Sequence, residues 1–283
     1  MIPYKAFASS TIGAHHRKHG KECQDDSRHV TDEIMAVAVV ADGHGGDAYF
    51  RSRRGSRFAV ESALQGIQEF IRIRREYGAP ETESAEGLLR NLVKNILVSW
   101  HDKVEQDYTT DRFSPDEQEK AAQKNKQPYH AYGTTLIAVA ITEDYWFGLH
   151  IGDGKAVALY PDGSFDQPIP WDERCFLNVT TSICDDDAAD TCRIYYSPEK
   201  PVAVFIGSDG VDDSYPIHEN EKYLYHLYRT IAINFADEGF ETTCQQVQGF
   251  LPSLTEKGSG DDVSVAGFID MHALEATARI LGH

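Results

Sequence analysis

Four apolar runs in this chain meet clusters of aspartate and glycine, and that pattern restricts the possible fold more than any other. "VVADGHGG", "LHIGDGKA" and "VFIGSDGV" end in such turns, and "GSGDDVSVAG" enters a strand through one. A lone Asp-Gly turn is an ordinary hairpin signal. Four of them, each beside a run apolar enough for a core, put Asp42, Asp153, Asp209 and Asp261 at the rims of sheets. A linear string does not show that the rims coincide. Where they do, the carboxylates repel one another by several kcal/mol unless protons or cations neutralise them. Hard oxygen donors without histidine or thiolate clusters favour magnesium or manganese over zinc. The glycines let backbone approach an ion closely, and the Gly43 carbonyl can itself be a ligand.

With 283 residues and 41% apolar side chains, the chain can bury a sizeable core in one large or two small domains. No repeat, low-complexity tract or composition break divides it, so a single domain over residues 1–283 is expected. The 45 acidic side chains outnumber the 27 basic ones, giving a formal net charge of -18. That field opposes nucleic acid or an anionic membrane as partner. It would also oppose an anionic substrate unless bound divalent cations reverse it locally. Cys23, Cys175, Cys184, Cys192 and Cys244 lack the paired short spacings of a zinc site, which fits free thiols in a reducing compartment. The opening "MIPYKAFASSTIG" has no signal-type apolar stretch, and "IMAVAVVA" is too short to span a bilayer. A cytoplasmic protein is the expectation.

Periodicity predicts strands over residues 3–13 and 33–42, then a helix over 47–78 with Phe50, Phe58, Leu64, Ile67, Phe70 and Ile71 on one side. A second helix is predicted over 84–108, with Ser84 as its N-cap. Residues 109–132 read as an exposed connection with one helical turn, and 133–163 as an antiparallel meander. Residues 167–200 have no firm period and read as a surface excursion. A core strand with an acidic turn follows over 201–215, then helices over 217–235 and 242–255, a strand over 261–269 and a short terminal helix. Thr134 and Thr135 are placed to buttress the turns from a strand.

The ordered set "CQDD", "DGHGG", "GTT", "GDG", "SDG" and "GDDVSV" resembles the type 2C metal-dependent protein phosphatases, the PPM family, in its bacterial form. Each motif is short and unspecific; their order, separations and strand context are specific as a set, and they span residues 11–269. The resemblance implies an α+β fold, a four-layer αββα sandwich of two antiparallel sheets flanked by helical pairs. It also implies a serine/threonine phosphatase acting on phosphorylated proteins and opposing a kinase. By motif, Asp42 is the bridging ligand of two manganese or magnesium ions, with the Gly43 carbonyl on one and Asp209 and Asp261 on the other. Gln24 and Asp25 match the pair that supports metal-bound water, and Asp153 matches a ligand of a third, weaker ion. Two ions about 3.5–4 Å apart lower the pKa of a shared water and aim it at phosphorus in line. His44 is the candidate to protonate the departing oxygen.

Two positions depart from the family pattern. Gly20 stands where most members carry a phosphate-gripping arginine, leaving Arg17, Lys18 and Lys21 as nearby basic candidates. Asp262 stands where an asparagine is usual, adding negative charge beside Asp261. The lost arginine keeps open a second reading, a pseudophosphatase that binds phosphoproteins or partners without turnover. The excursion takes the place of the family's flap, and its "CDDDAAD" would disfavour strongly acidic phosphopeptides.

Overall fold

Runs of small and β-branched residues form two five-stranded antiparallel sheets in the computed structural model, which describes residues 2–123, 127–176 and 179–282. One sheet holds β1 (Tyr4–Thr11), β10 (Val263–Asp270), β9 (Ala203–Gly207), β6 (Lys155–Leu159) and β7 (Phe165–Asp166), in that spatial order. The other runs β2 (Asp26–Thr31), β3 (Ala36–Ala41), β4 (Leu136–Ile141), β5 (Trp146–Ile151) and β8 (Arg193–Ser197). In β3, "AVAVVA", every residue is buried. Ala36, Ala38 and Val40 face the second sheet, while Val37, Val39 and Ala41 face helices. Burial on both faces explains why the run is continuously apolar instead of alternating. Between the sheets lie small residues such as Ala6, Ala38, Ala158 and Ala266, with Trp146 and Phe268 filling the wider part.

A helical pair covers each outer face. α2 (Ser52–Tyr77) and α3 (Thr82–Thr110) bury Phe58, Ile67, Leu89 and Trp100 in one cluster with Val37 and Val39 of β3 and Phe147 and Leu149 of β5. α7 (Asn220–Glu238) and α8 (Phe240–Lys257) lay Tyr228, Phe235 and Leu251 on β9 and β10. α9 (Met271–Leu281) adds Leu274 and begins at Asp270, whose side chain accepts from the His272 and Ala273 amides. Short helices α1 (Ala14–Lys18), α4 (Pro115–Gln123), α5 (Ala188–Thr191) and α6 (Asp209–Asp212) sit at strand ends and in connections. No described helix is long and apolar enough to cross a membrane.

The sequence reading and the structure part in several places. The helix expected over 47–78 opens as a 3-10 turn over Asp47–Tyr49, leaving Phe50 outside α2, and α1 is unpredicted. β2 is unpredicted, because "DSRHVT" is a polar, half-buried edge strand. α3 starts at Thr82, two residues early, and Ser84 Oγ donates to the Glu81 carbonyl instead of capping the helix. The connection over 109–132 is not an exposed link, although residues 124–126 lie outside the described residues. It carries the nine-residue α4 and a 3-10 turn over Pro128–Tyr132, which buries Tyr132 completely. The Tyr132 hydroxyl donates to Asp107 at 2.7 Å and accepts from the buried Arg51 at 2.9 Å. Finally, the excursion over 167–200 is not all surface. Its later part forms β8 paired to β5, and Ile183, Cys184 and Cys192 join the core; Leu177 and Asn178 lie outside the described residues.

Gly55 shows how closely α2 seats on that 3-10 turn: a Cβ there would stand 1.7 Å from the Tyr132 carbonyl oxygen. Gly55→Ala is therefore expected to destabilise the protein by about 2–3 kcal/mol in urea unfolding. Gly87, on an exposed stretch of α3 with nothing within 4 Å of a Cβ, is the contrast. Gly87→Ala is expected to stabilise by about 0.4–1 kcal/mol through the unfolded chain.

Candidate metal centre

At the end of β3 the chain delivers Asp42, and its backbone is fixed on three sides. The Asp42 carbonyl accepts from Thr134 Oγ1 at 2.7 Å and from the Thr135 amide at 2.8 Å, and its amide donates to Thr135 Oγ1 at 3.0 Å. Gly43 comes next, bridged to Thr134 and donating to the Gln24 carbonyl at 3.2 Å. A Cβ at Gly43 would lie 2.6 Å from that carbonyl and 2.9 Å from the Ser52 backbone, so only glycine lets the three segments meet. His44 donates its amide to the Gly133 carbonyl at 3.1 Å and sets its ring edge-on to Tyr49.

The other sheet brings its own acids to the same end. β9 stops at Gly207 and Asp209 opens α6, while Asp261 and Asp262 lead into β10. The turn between β5 and β6 carries Asp153, preceded by Gly152 at φ +112°. The structure thus brings Asp42, Gly43, His44, Asp153, Asp209 and Asp261 to one cleft of about 470 Å³. Gln24 lines it as well, its side-chain amide donating to Ser52 Oγ at 2.6 Å. Asp25 does not line the cleft; it lies buried behind, where Oδ2 accepts from Ser208 at 2.9 Å and Ser264 at 2.8 Å, and Oδ1 has no hydrogen-bond partner. Arg17, Lys18 and Lys21 are exposed and outside the cleft lining; Lys21 lines the neighbouring depression with His16, Ser259 and Asp261.

Several residues of the site escaped the sequence reading. Asp213 lines the cleft and Asp212 is buried beside it. Both lie in "DGVDDSY", where acids following a strand-end Asp were the available signal. His16 enters the cleft with its Nδ1 3.0 Å from Asp262 Oδ1, and ligand atoms of His16, Asp261 and Asp262 all lie within 4.8 Å of one another. Asp262 itself is 3% exposed and accepts the Gly13 amide on Oδ1 and the Gln24 amide on Oδ2, each at 2.6 Å. Its carboxylate ties the start of α1 and the Gln24 segment to β10, a use that a count of charges does not reveal.

Electrostatics in the cleft follow from burial and crowding. Burial pushes Asp42 well above the usual carboxylate range, with Asp25 and Asp209 adding to the rise. Asp209 is pushed up to about 7, chiefly by burial, though its hydrogen bond to Asp42 pulls the other way. Burial and Asp262 lift Asp25 to about 8. Burial also raises Asp153, Asp212 and Asp213. Asp209 Oδ1 and Asp212 Oδ1 are buried without a hydrogen-bond partner. Unsatisfied buried carboxylate oxygens around a cleft fit a hard divalent cation.

A carboxyl whose pKa is higher folded than unfolded binds more protons in the fold, so stability falls as pH rises through the gap. Here the gap runs from the ordinary carboxylate value near about 4 up to about 8. Chelator-treated protein is expected to lose thermal midpoint across that window. Millimolar manganese is expected to restore it, most at the upper end. A midpoint rising with pH in chelator, or the same with and without manganese, would contradict the crowding.

Comparison with known proteins follows the same lines. A family model described as protein phosphatase 2C matches residues 12–251. A search of curated proteins gives no match. Among solved structures, the serine/threonine phosphatase Stp1 from Staphylococcus aureus is 17% identical with a TM-score of 0.56, covering 95% of each chain. PppA, a key regulatory component of T6SS in Pseudomonas aeruginosa, is 16% identical with a TM-score of 0.54, covering 94% of this chain and 97% of its own. A C. elegans sex determining protein is 15% identical with a TM-score of 0.59; the match covers all of this chain and 68% of the other. At such identities the structures establish a shared fold, and the family model, matched over most of the sequence, establishes that this chain belongs to the protein phosphatase 2C family.

Proposed function

We propose that the carboxylate cleft is the active site of a metal-dependent serine/threonine protein phosphatase, formed by one domain over residues 1–283 with 167–200 as its flap. The protein phosphatase 2C family is metal-dependent, and its substrates are phosphoproteins. The observation that carries the reading is the meeting of Asp42 from one sheet with Asp209 and Asp261 from the other in one acidic cleft, with Asp209 Oδ1 buried and without a hydrogen-bond partner.

Asp42, the Gly43 carbonyl, Asp209 and Asp261 would hold two manganese or magnesium ions, with Asp153 on a third. Bound there, such ions activate a water and neutralise phosphate oxygens. The chain's own residues set the geometry. Thr134 and Thr135 fix the Asp42 backbone, and Gly43 admits the approach of Gln24. Gln24 from the cleft wall, and Asp25 from behind it through its unpartnered Oδ1, would support waters around bound ions. His44 delivers a proton to the departing serine or threonine oxygen. Of the three basic candidates near Gly20, Lys21 lines the adjoining depression together with Asp261 and is the one to contact substrate phosphate. The substrates are cytoplasmic phosphoproteins made by a serine/threonine kinase; the net charge of -18 disfavours nucleic acid and anionic membrane.

One observation favours a second reading. Among the described residues lining the cleft none is lysine or arginine, which suits a phosphoprotein-binding pseudophosphatase. Turnover separates the two. With manganese, wild type is expected to hydrolyse an aryl phosphate and a phosphothreonine peptide, and Asp209→Asn neither. Neither substrate cleaved by wild type would establish the binding module.

His44 gives a sharper test, because an aryloxide leaves without help and an alkoxide does not. His44→Ala is expected to lower kcat by about 10²-fold or more on the phosphothreonine peptide and far less on 4-nitrophenyl phosphate. Equal losses on both would remove the proton-donor role. Lys21→Ala is expected to raise KM with kcat nearly unchanged, and Arg17→Ala and Lys18→Ala to alter neither.

A further inference from the structure

A histidine and two aspartates gather on the side of the cleft formed by the N-terminal segment. Ligand atoms of His16, Asp261 and Asp262 lie within 4.8 Å of one another, and all three residues line the cleft. Backbone contacts hold the segment that carries His16. The Gly13 amide donates to Asp262 Oδ1 at 2.6 Å, the Ala14 amide to Thr255 Oγ1 at 3.0 Å and the His15 amide to the Gly260 carbonyl at 2.8 Å. Thr255 Oγ1 in turn donates to the Asp261 carbonyl at 2.7 Å, and the Asp262 amide to Asp261 Oδ1 at 2.8 Å. A Cβ at Gly13 would stand 2.5 Å from the Asp261 backbone, so only glycine lets the two segments close on each other.

The ring of His16 supplies an independent observation. Its Nδ1 is buried and stands 3.0 Å from Asp262 Oδ1, yet it has no hydrogen-bond partner. A hydrogen bond between them would need the ring N–H aimed at the oxygen. Two ligands at right angles on one cation need no such aim, and with metal–ligand distances of about 2.1 Å they stand about 3 Å apart. Asp262 Oδ1 accepts one backbone amide, from Gly13, and keeps a lone pair for a cation. An imidazole nitrogen beside carboxylates moves the preference of such a cluster from magnesium towards zinc. We propose that His16, Asp261 and Asp262 bind a divalent cation of the borderline class to which zinc belongs. The site shares Asp261 with the two-ion centre proposed above, but it requires neither Asp42 nor turnover. It sets positive charge on a cleft whose described lining has no lysine or arginine.

Zinc titration of chelator-treated, full-length Asp42→Asn protein tests this, because that substitution disables the two-ion centre. Calorimetry is expected to give one saturable zinc site that millimolar magnesium does not displace. In protein labelled with 15N at histidine, zinc is expected to shift the ring nitrogens of a single residue. His16→Ala in this background is expected to weaken zinc by about tenfold or more and to remove that shift, and Asp262→Asn, which keeps the size of the side chain, to weaken zinc by a similar factor. His19→Ala, in the same segment, is expected to leave both readouts unchanged. The proposal is overturned by a flat zinc titration of Asp42→Asn, by displacement with magnesium, by binding that survives either His16→Ala or Asp262→Asn, or by an equal loss in His19→Ala.

Discussion

Carboxylates forced together at one end of a sandwich are the constraint on which the rest of this structure depends. Asp42 arrives on a strand of one sheet, Asp209 and Asp261 on strands of the other, and the apolar interior between the sheets sets where they meet. Left charged and unneutralised, such a group opposes folding. The protein holds it together by locking backbone instead of relaxing side chains. The Asp42 carbonyl and amide are bound by two threonines, Gly43 is wedged between the Gln24 and Ser52 segments, and Asp25 is clasped by Ser208 and Ser264. Protons on some of these groups, or cations among them, remove the repulsion.

Basic side chains are spent elsewhere. Arg51 is buried in a network with Glu117, Asp107 and Tyr132 that fastens α2 to the connection after α3. Arg174 binds Asp172 two residues away, and Arg193 donates to the backbone carbonyls of Pro170 and Gly152. The cleft is left with two histidines and no longer side-chain cation among its described lining. Phosphate held in it would depend on bound metal and on groups at the rim, which makes the metal as much a binding device as a chemical one. Asp262 fits the same economy of contacts: it uses both oxygens on the Gly13 and Gln24 amides.

Much of this was legible in the sequence, and the exceptions share a cause. Strands buried on both faces, such as β3 and β9, are unbroken apolar runs, and the acidic turns at their ends mark the rim directly. β2 was missed because its side chains are polar and half-buried; only pairing with β3 makes it a strand. Likewise β8 gains its identity from β5, and the hydroxyl of the buried Tyr132 accepts from Arg51 and donates to Asp107, in a network no local pattern announces. His16 sits beside Asp262 across 246 positions of chain, a proximity that periodicity cannot supply. The motifs located the acids, while their partners belong to tertiary structure.

Counting the ions tests the central claim most directly. Calorimetric titration of chelator-treated protein with manganese, with anomalous scattering from the same ion in crystals, should give saturable binding of at least two ions beside Asp42 and Asp209, sharply reduced by Asp42→Asn. A flat titration to millimolar manganese, or ions found only outside the cleft, would contradict it.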